Sequence, residues 1–529
     1  MMQKADLILR NGSLVNPFVG FVGQRTVCVR DGRISAIQRE IEDDRCVGND
    51  TKVLELNGKP VLPGFHDAHG HLLKLGYSLQ QIDLTGCSSY SQFLQRVEKE
   101  QLRYNPTEWI VGIGWQHEMW ADPYPSFRSL PTNRDISSIV RESPMLLFHI
   151  SGHLLLANDA AIAALHPNSY RTNPNVVRND SGELTGIFLE DAKDLFDAFW
   201  QHPDTDKDAA RRAIDECLKH GITCFHDAAT TLATFDTFRQ VYSSGSRRIR
   251  LNTMLHGRRE TGIEKIIKKG RFRAFDDHLL MHSLKLFADG ALGTHTALLH
   301  EPYADKAHEY GEEAMSYDRM ESLATLAAEY GFQTCTHAIG DKAAARVLDM
   351  YHRILARHCT WRPRLEHAQL LMDESVQRMA HDQIIASIQA VQAQSDAQWL
   401  ETVLGTRQLR LAYRWKDLWD AGVVLANGSD APVDDVDPLH ALRLLMSPHP
   451  IHGTRGFELG EAVAMLTYNS AYAGHMEEHG GVIEIGKWAD ITVLSGPPGL
   501  PIHAEEQSFA ATIVNGIVQY KRDDLLHCE

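Results

Sequence analysis

Val61-Leu62-Pro63-Gly64-Phe65-His66-Asp67-Ala68-His69-Gly70-His71 is a short apolar run that passes through Pro-Gly and delivers two histidines two residues apart. On a strand, residues i and i+2 point to the same face. His69 and His71 can therefore aim two imidazoles at one point, as a metal ion requires. Alone the pair proves little, because the chain has 28 histidines and a surface pair would need no explanation. The reading turns on whether further strands end in further ligands.

Strand-like and helix-like stretches alternate through the middle of the chain, the pattern of an α/β fold with a parallel sheet. Strands are expected at 61–67, 221–227, 250–255, 283–287, 332–337, 364–367, 384–389 and 423–430, with helices at 207–219, 319–329, 341–357 and 373–381. Eight such units predict a TIM (β/α)8 barrel. The gap of about 72–215 after the first strand is far longer than one crossover needs. It is expected to be an insertion capping the active site. Two apolar runs within it, Trp109–Gly114 and Pro144–Ile150, offer themselves as alternative barrel strands.

The two ends of the chain read differently. Short strands with turn signals at Asn11-Gly12, Asp31-Gly32 and Asn57-Gly58 fill the first 60 residues, and Asn515-Gly516 marks a hairpin near the other end. Few strands at either end can bury much alone. Residues 1–60 and 476–529 are therefore expected to form one discontinuous β-sandwich, with the barrel over 61–475 between them. Two separate terminal caps are the alternative.

In a TIM barrel, functional residues sit at the C-terminal ends of the strands. The first expected strand leads to His69 and His71, the fourth carries Lys285, the fifth ends at His337, the sixth at His367 and the eighth at Asp430. A strand-end histidine is often only a hydrogen-bonded core residue, and an Asp between Gly-Ser and Ala-Pro often only caps a turn. Four His, one Lys and one Asp arriving in barrel order are hard to obtain by accident.

These residues resemble the metal-dependent amidohydrolase superfamily. Further stretches are similar to amidohydrolase family 3, the YtcJ-like branch that includes N-substituted formamide deformylase: Gly114-Trp115-Gln116-His117-Glu118-Met119-Trp120, Ser151-Gly152-His153, Lys285–Gly293, His337-Ala338-Ile339-Gly340-Asp341 and Glu366-His367-Ala368-Gln369. Gln116-His117-Glu118 stand where that branch more often has Asp-Gln-Asn. The resemblance implies that His69, His71 and Asp430 hold one metal and His337 and His367 a second. Lys285, carboxylated by CO2, would bridge the two. Zinc is the default for an imidazole-rich site, with manganese or iron tolerated. Without carboxylation, Lys285 would be a cationic substrate clamp beside a single metal. The implied activity is hydrolysis of an amide-type C–N bond, as in an N-formyl or N-acyl amine, with Asp430 as general base and acid. A mononuclear deaminase or cyclic-amide hydrolase is the alternative, with Asp341 or Glu366 as the deaminase's acid. His153, His226, Trp115 and Trp120 are candidate substrate contacts, the tryptophans grouped with Tyr124 and Phe127.

Composition narrows the partners. The net charge is −16, from 69 acidic and 53 basic residues, which argues against a nucleic-acid binder. No apolar run approaches the ~18 residues of a membrane span, and the N-terminus has no secretory pattern. Eight cysteines without a C-x-x-C pair fit reduced thiols in the cytoplasm. The family likeness implies a homodimer.

Overall fold

The structure is a computed structural model that describes residues 4–39, 46–105, 107–117, 120, 130–149, 154–196, 206–245 and 248–523. The chain divides into two compact units. Residues 1–74 and 210–529 form one, and Leu75–Ala209 form the other.

The first unit contains the (β/α)8 barrel. Its parallel strands are Phe65–Gly70, Ile222–Thr230, Arg250–His256, Leu279–Phe287, Gln333–Ala338, Arg364–His367, Ile385–Ile388 and Leu425–Asn427, each paired with the next. The eighth returns to the first through hydrogen bonds from Asp430 N to His69 O (2.7 Å) and from His71 N to Ala431 O (2.8 Å). All six residues of Phe65–Gly70 are buried, as expected of a parallel strand covered on both faces.

The termini meet in a single sheet. Its strands run in the order Ile517–Lys521, Phe509–Val514, Ile491–Leu494, Pro60–Pro63, Leu7–Asn16, Gly20–Arg30 and Arg33–Gln38. Leu7–Asn16 also pairs with Lys52–Glu55 through Leu7–Arg10, so the long strand serves two partners on one edge. Leu9, Val27, Leu54, Val61, Ile491 and Ile513 fill the core beneath it. As expected, the strands of the two chain ends join in one discontinuous β-structure, and its described strands form a single sheet.

Two local expectations are corrected. The run 61–67 is not one strand: Val61–Pro63 pairs with Ile491–Val493 in the terminal sheet, whereas Phe65 onward pairs with the second barrel strand. The break is Gly64, where a Cβ would lie 2.1 Å from the Thr223 hydroxyl oxygen. Asn11-Gly12 is not a hairpin turn. Asn11 does adopt a positive φ of 57°, but the strand continues to Asn16, and the irregularity is absorbed as a register shift against Gly20–Arg30. Asp31-Gly32 and Asn515-Gly516 do turn hairpins, with positive φ at both residues.

The second unit has its own six-stranded sheet, in the order Val176–Arg178, Leu184–Leu189, Leu154–Ala157, Met145–His149, Ile110–Trp115 and Ile82–Asp83. The two apolar runs offered as alternative barrel strands pair with each other here, Ile110 opposite Met145, and do not enter the barrel.

A buried ion pair joins terminal sheet to barrel. Asp490 accepts from Arg250 Nε at 2.6 Å, and the Arg250 guanidinium lies 3.5 Å from the centre of the Trp488 ring. Arg250 is fully enclosed, so losing its partner leaves a bare buried charge. Asp490→Ala is expected to destabilise the fold by about 3–5 kcal/mol, seen as a lower urea midpoint.

Candidate metal centre

The barrel brings His69, His71, Lys285, His337, His367 and Asp430 together. Ring centres lie 4.9 Å apart for His69 and His367, and 4.5 Å for His337 and His367. Lys285 Nζ is 3.2 Å from His69 Nε2. Asp430 Oδ1 is 3.3 Å from His71 Nε2 and 3.7 Å from His69 Nε2. Non-glycine residues with positive φ cluster at these strand ends, at Ala229, His367, Ala368 and Asp430. Such conformations cost of order 1–3 kcal/mol each and concentrate at functional sites. Gly428 lets the eighth strand close on the first, because a Cβ there would lie 2.4 Å from His69 N.

Each imidazole is held by one nitrogen. His69 Nδ1 donates to Glu366 Oε2. His71 Nδ1 donates to Ala228 O (2.9 Å), His337 Nε2 to Gly290 O (2.9 Å) and His367 Nδ1 to Gln389 Oε1 (2.9 Å). In the neutral ring the other nitrogen then carries a lone pair. Those are Nε2 of His69, His71 and His367, and Nδ1 of His337. Burial, helped by the Lys285 charge, lowers His69, and pushes His337 down to about 4. Burial and the neighbouring His337 and His69 hold His367 well below its ordinary value. The unprotonated state is thus favoured where a ligand needs it.

His69 Nε2, His71 Nε2 and Asp430 Oδ1 are consequently three acceptors facing one another. Asp430 Oδ1 is buried and accepts no hydrogen bond among the described residues. Lone pairs at such distances repel unless a cation lies among them; Lys285 Nζ meets His69 Nε2 but leaves Asp430 Oδ1 without a partner among the described residues. The set fits a divalent ion. Burial lowers the Lys285 ammonium below its ordinary value, against the opposing pull of Glu366 and Asp430.

A second layer of side chains fixes the first. Arg364 grips Glu366 through Nε–Oε1 (2.8 Å) and Nη2–Oε2 (3.0 Å), which keeps that fully buried carboxylate ionised against the cost of burial. Asp67 accepts from His69 N (3.1 Å), Ser429 N (3.0 Å) and Ser429 Oγ (2.5 Å), tying the first strand to the loop that carries Asp430. Asp289 accepts from Leu298 N, Ile339 N and Gly340 N, with burial pushing it up to about 7. Sequence reasoning does not single out Arg364, Asp67 or Gln389. The available signal is the pair of opposite charges at 364 and 366, two residues apart and so on one face of a buried strand.

The remaining candidates lie elsewhere. His226 is fully buried inside the barrel, where its Nδ1 accepts from Arg364 Nη1 (3.0 Å). It forms a second compact group with His66 and Cys224. That group is a poor cation site. A guanidinium only donates, so His226 Nε2 must carry the proton and present N–H, not a lone pair. Trp115 is fully enclosed in the core of the second unit, its Nε1 donating to Leu147 O (3.0 Å), and Trp120 packs on Tyr90 and Phe93 in the same unit. Enclosure by its own unit's core leaves Trp115 no face for a substrate. His153, Tyr124 and Phe127 lie outside the described residues.

The supporting layer yields a prediction. Gln389→Ala frees His367 Nδ1–H and is expected to weaken divalent-cation binding by about tenfold or more. Glu366→Gln is expected to weaken it further and to lower the melting temperature, because Arg364 loses its counter-charge. Chelator competition and thermal melts measure the two effects separately.

Comparison with known proteins agrees with this geometry. Residues 52–520 match the amidohydrolase family. The chain is 29% identical to Protein LONG AFTER FAR-RED 3 of Arabidopsis thaliana, covering 93% of this chain and 87% of that one. It is 30% identical to the putative amidohydrolase YtcJ of Bacillus subtilis, over 94% of this chain and 97% of that one. It is 26% identical to N-substituted formamide deformylase of Arthrobacter pascens, over 99% of both. A crystal structure of an uncharacterized metal-dependent hydrolase from Pyrococcus horikoshii superposes with a TM-score of 0.74 at 23% identity, over 94% of this chain and 99% of that one. By its strand order, its strand-end residues and these matches, the chain belongs to the amidohydrolase family.

Proposed function

We propose that the chain is a metal-dependent hydrolase that cleaves an amide-type C–N bond, as in an N-formyl or N-acyl amine. The observation that carries this reading is the trio of facing acceptors, His69 Nε2, His71 Nε2 and Asp430 Oδ1. They would hold one divalent cation, and His337 and His367 a second. Lys285 would join the two as a carbamate. Burial favours its neutral amine, which adds to CO2 through an Nζ–C bond with loss of a proton. Bound there, zinc, or manganese or iron in its place, supplies Lewis acidity and makes water ionisable near neutral pH.

The residues supply the rest. Asp430 takes a proton from the attacking water and later delivers it to the departing nitrogen as the C–N bond breaks. The buried His69, His337 and His367 stay neutral and fixed. Glu366 is committed to Arg364 and His69, and Asp341 to His300 N (3.0 Å) and Lys342 N (2.9 Å). Neither is a free acid of the kind the deaminase alternative needs. The amide assignment also draws on the formamide deformylase relative.

Metal analysis of the purified protein, with turnover assays on N-formyl and N-acyl amines and on aminopurines and pyrimidines, tests the reading. Two cations per chain and release of the amine support it. One cation with ammonia released from an aminopurine would overturn it. Asp430→Asn is expected to lower kcat by about 10²–10⁴-fold, and a chelator to abolish turnover until the metal is restored.

A further inference from the structure

We propose that the substrate carries an oxyanion, a carboxylate or phosphate-type group, bound at the barrel rim by Arg258, Arg259 and Lys74. The proposal rests on the amide-hydrolysis reading for the remainder of the substrate.

The third barrel strand ends at His256, the register partner of Lys285, and Gly257 N donates to Lys285 O at 2.9 Å. The chain then folds back over His256, whose Nδ1 accepts from Arg258 N (3.2 Å) and Arg259 N (3.3 Å). This capping fixes the backbone of both arginines at the rim immediately beyond Lys285. Lys74 follows three residues after His71, on the helix Leu72–Ser78. All three side chains are exposed, and none of their charged groups has a hydrogen bond or ion pair among the described residues. The Phe287 ring bridges this rim to the candidate metal centre, lying 5.1 Å from His256 and 6.2 Å from His337, centre to centre.

The three cations act on one place. Burial first, then Arg259, Lys74 and Arg258, push His256 down to about 4. Cations gathered without partners repel one another, and this chain has acid to spare, with a net charge of −16. Elsewhere in the barrel unit, Arg250, Arg273, Arg319, Arg346 and Arg353 each have a carboxylate. A positive rim around a concave site attracts and orients anions, and the guanidinium fork matches an oxyanion in two-point fashion.

The test uses the full-length, metal-loaded protein and three ligands sharing acyl and aryl groups: N-acetylphenylalanine, its phosphonate analogue and the neutral N-acetylphenethylamine. The expected result is a kcat/KM about tenfold or more higher for one of the anionic amides, the carboxylate and phosphonate arms deciding which. The double variant Arg258→Ala/Arg259→Ala is expected to raise KM about tenfold for that amide and to leave KM for the neutral amide unchanged. Equal use of the neutral amide, or an equal rise in both KM values, overturns the proposal while leaving amide hydrolysis intact. If no amide is turned over, calorimetric titration with the same ligands decides. Anion-dependent binding lost in the double variant upholds the rim assignment and removes the amide reading. Binding without anion dependence, or no binding, overturns the rim assignment.

Discussion

A guanidinium buried beyond reach of water has to be satisfied on every side, and Arg364 meets that constraint by bonding to four of the eight barrel strands. It is fully enclosed. It donates to Ala68 O on the first strand, His226 on the second, Glu366 on its own strand and Ser387 Oγ on the seventh. Losing Glu366 would leave Arg364 Nε, whose acceptor is Glu366 Oε1, buried and unpaired at a cost of about 1–3 kcal/mol. Strand positions, the ionised state of Glu366 and the tautomer of His69 therefore follow from one side chain. The candidate metal centre adjoins that network through His69.

Much of the barrel was legible because each parallel strand advertises itself locally, as a short apolar run ending in Gly or a polar turn. Six of the eight strands, from Ile222 through Ile388, start or stop within a few residues of the expected places. What escaped detection depends on contacts far along the chain. Nothing local says that Val61-Leu62-Pro63 belongs to a different sheet from Phe65-His66-Asp67. At the switch, Gly64 is pressed against Thr223, a residue on another strand, which leaves no room for a Cβ. Asn11-Gly12 likewise has turn chemistry, but the partner strand continues opposite it. The pairing of Ile110–Trp115 with Met145–His149 could not be separated from barrel pairing by periodicity alone, since buried parallel strands read alike.

The candidate site divides along the same line. His69, His71, Lys285, His337, His367 and Asp430 were legible because a ligand at a strand end is visible from one strand at a time. The residues that hold them in place were legible only in part, because each acts across the barrel: Gln389 on His367 and Asp67 on Ser429 were not singled out, and Glu366 was visible as a motif residue but not as the acceptor for His69. Trp115 shows the opposite error. An aromatic residue in a motif invites a functional role, yet here it fills a core.

The seam between the first and eighth strands has a consequence for biosynthesis. Asp67 and Ser429 are 362 positions apart, and that seam carries both the last backbone hydrogen bonds of the barrel and the three facing acceptors. A chain emerging from the ribosome exposes the edge of its first strand until residue 431 has been made. During that interval the growing protein has an unpaired strand edge, a hazard for aggregation, and cannot yet bring Asp430 to His69 and His71. A cation held by His69, His71 and Asp430 would bind only after the circle closes and would act as a clasp on the finished ring. Metal supply would set how long newly closed molecules stay closed, and not only how fast they turn over substrate.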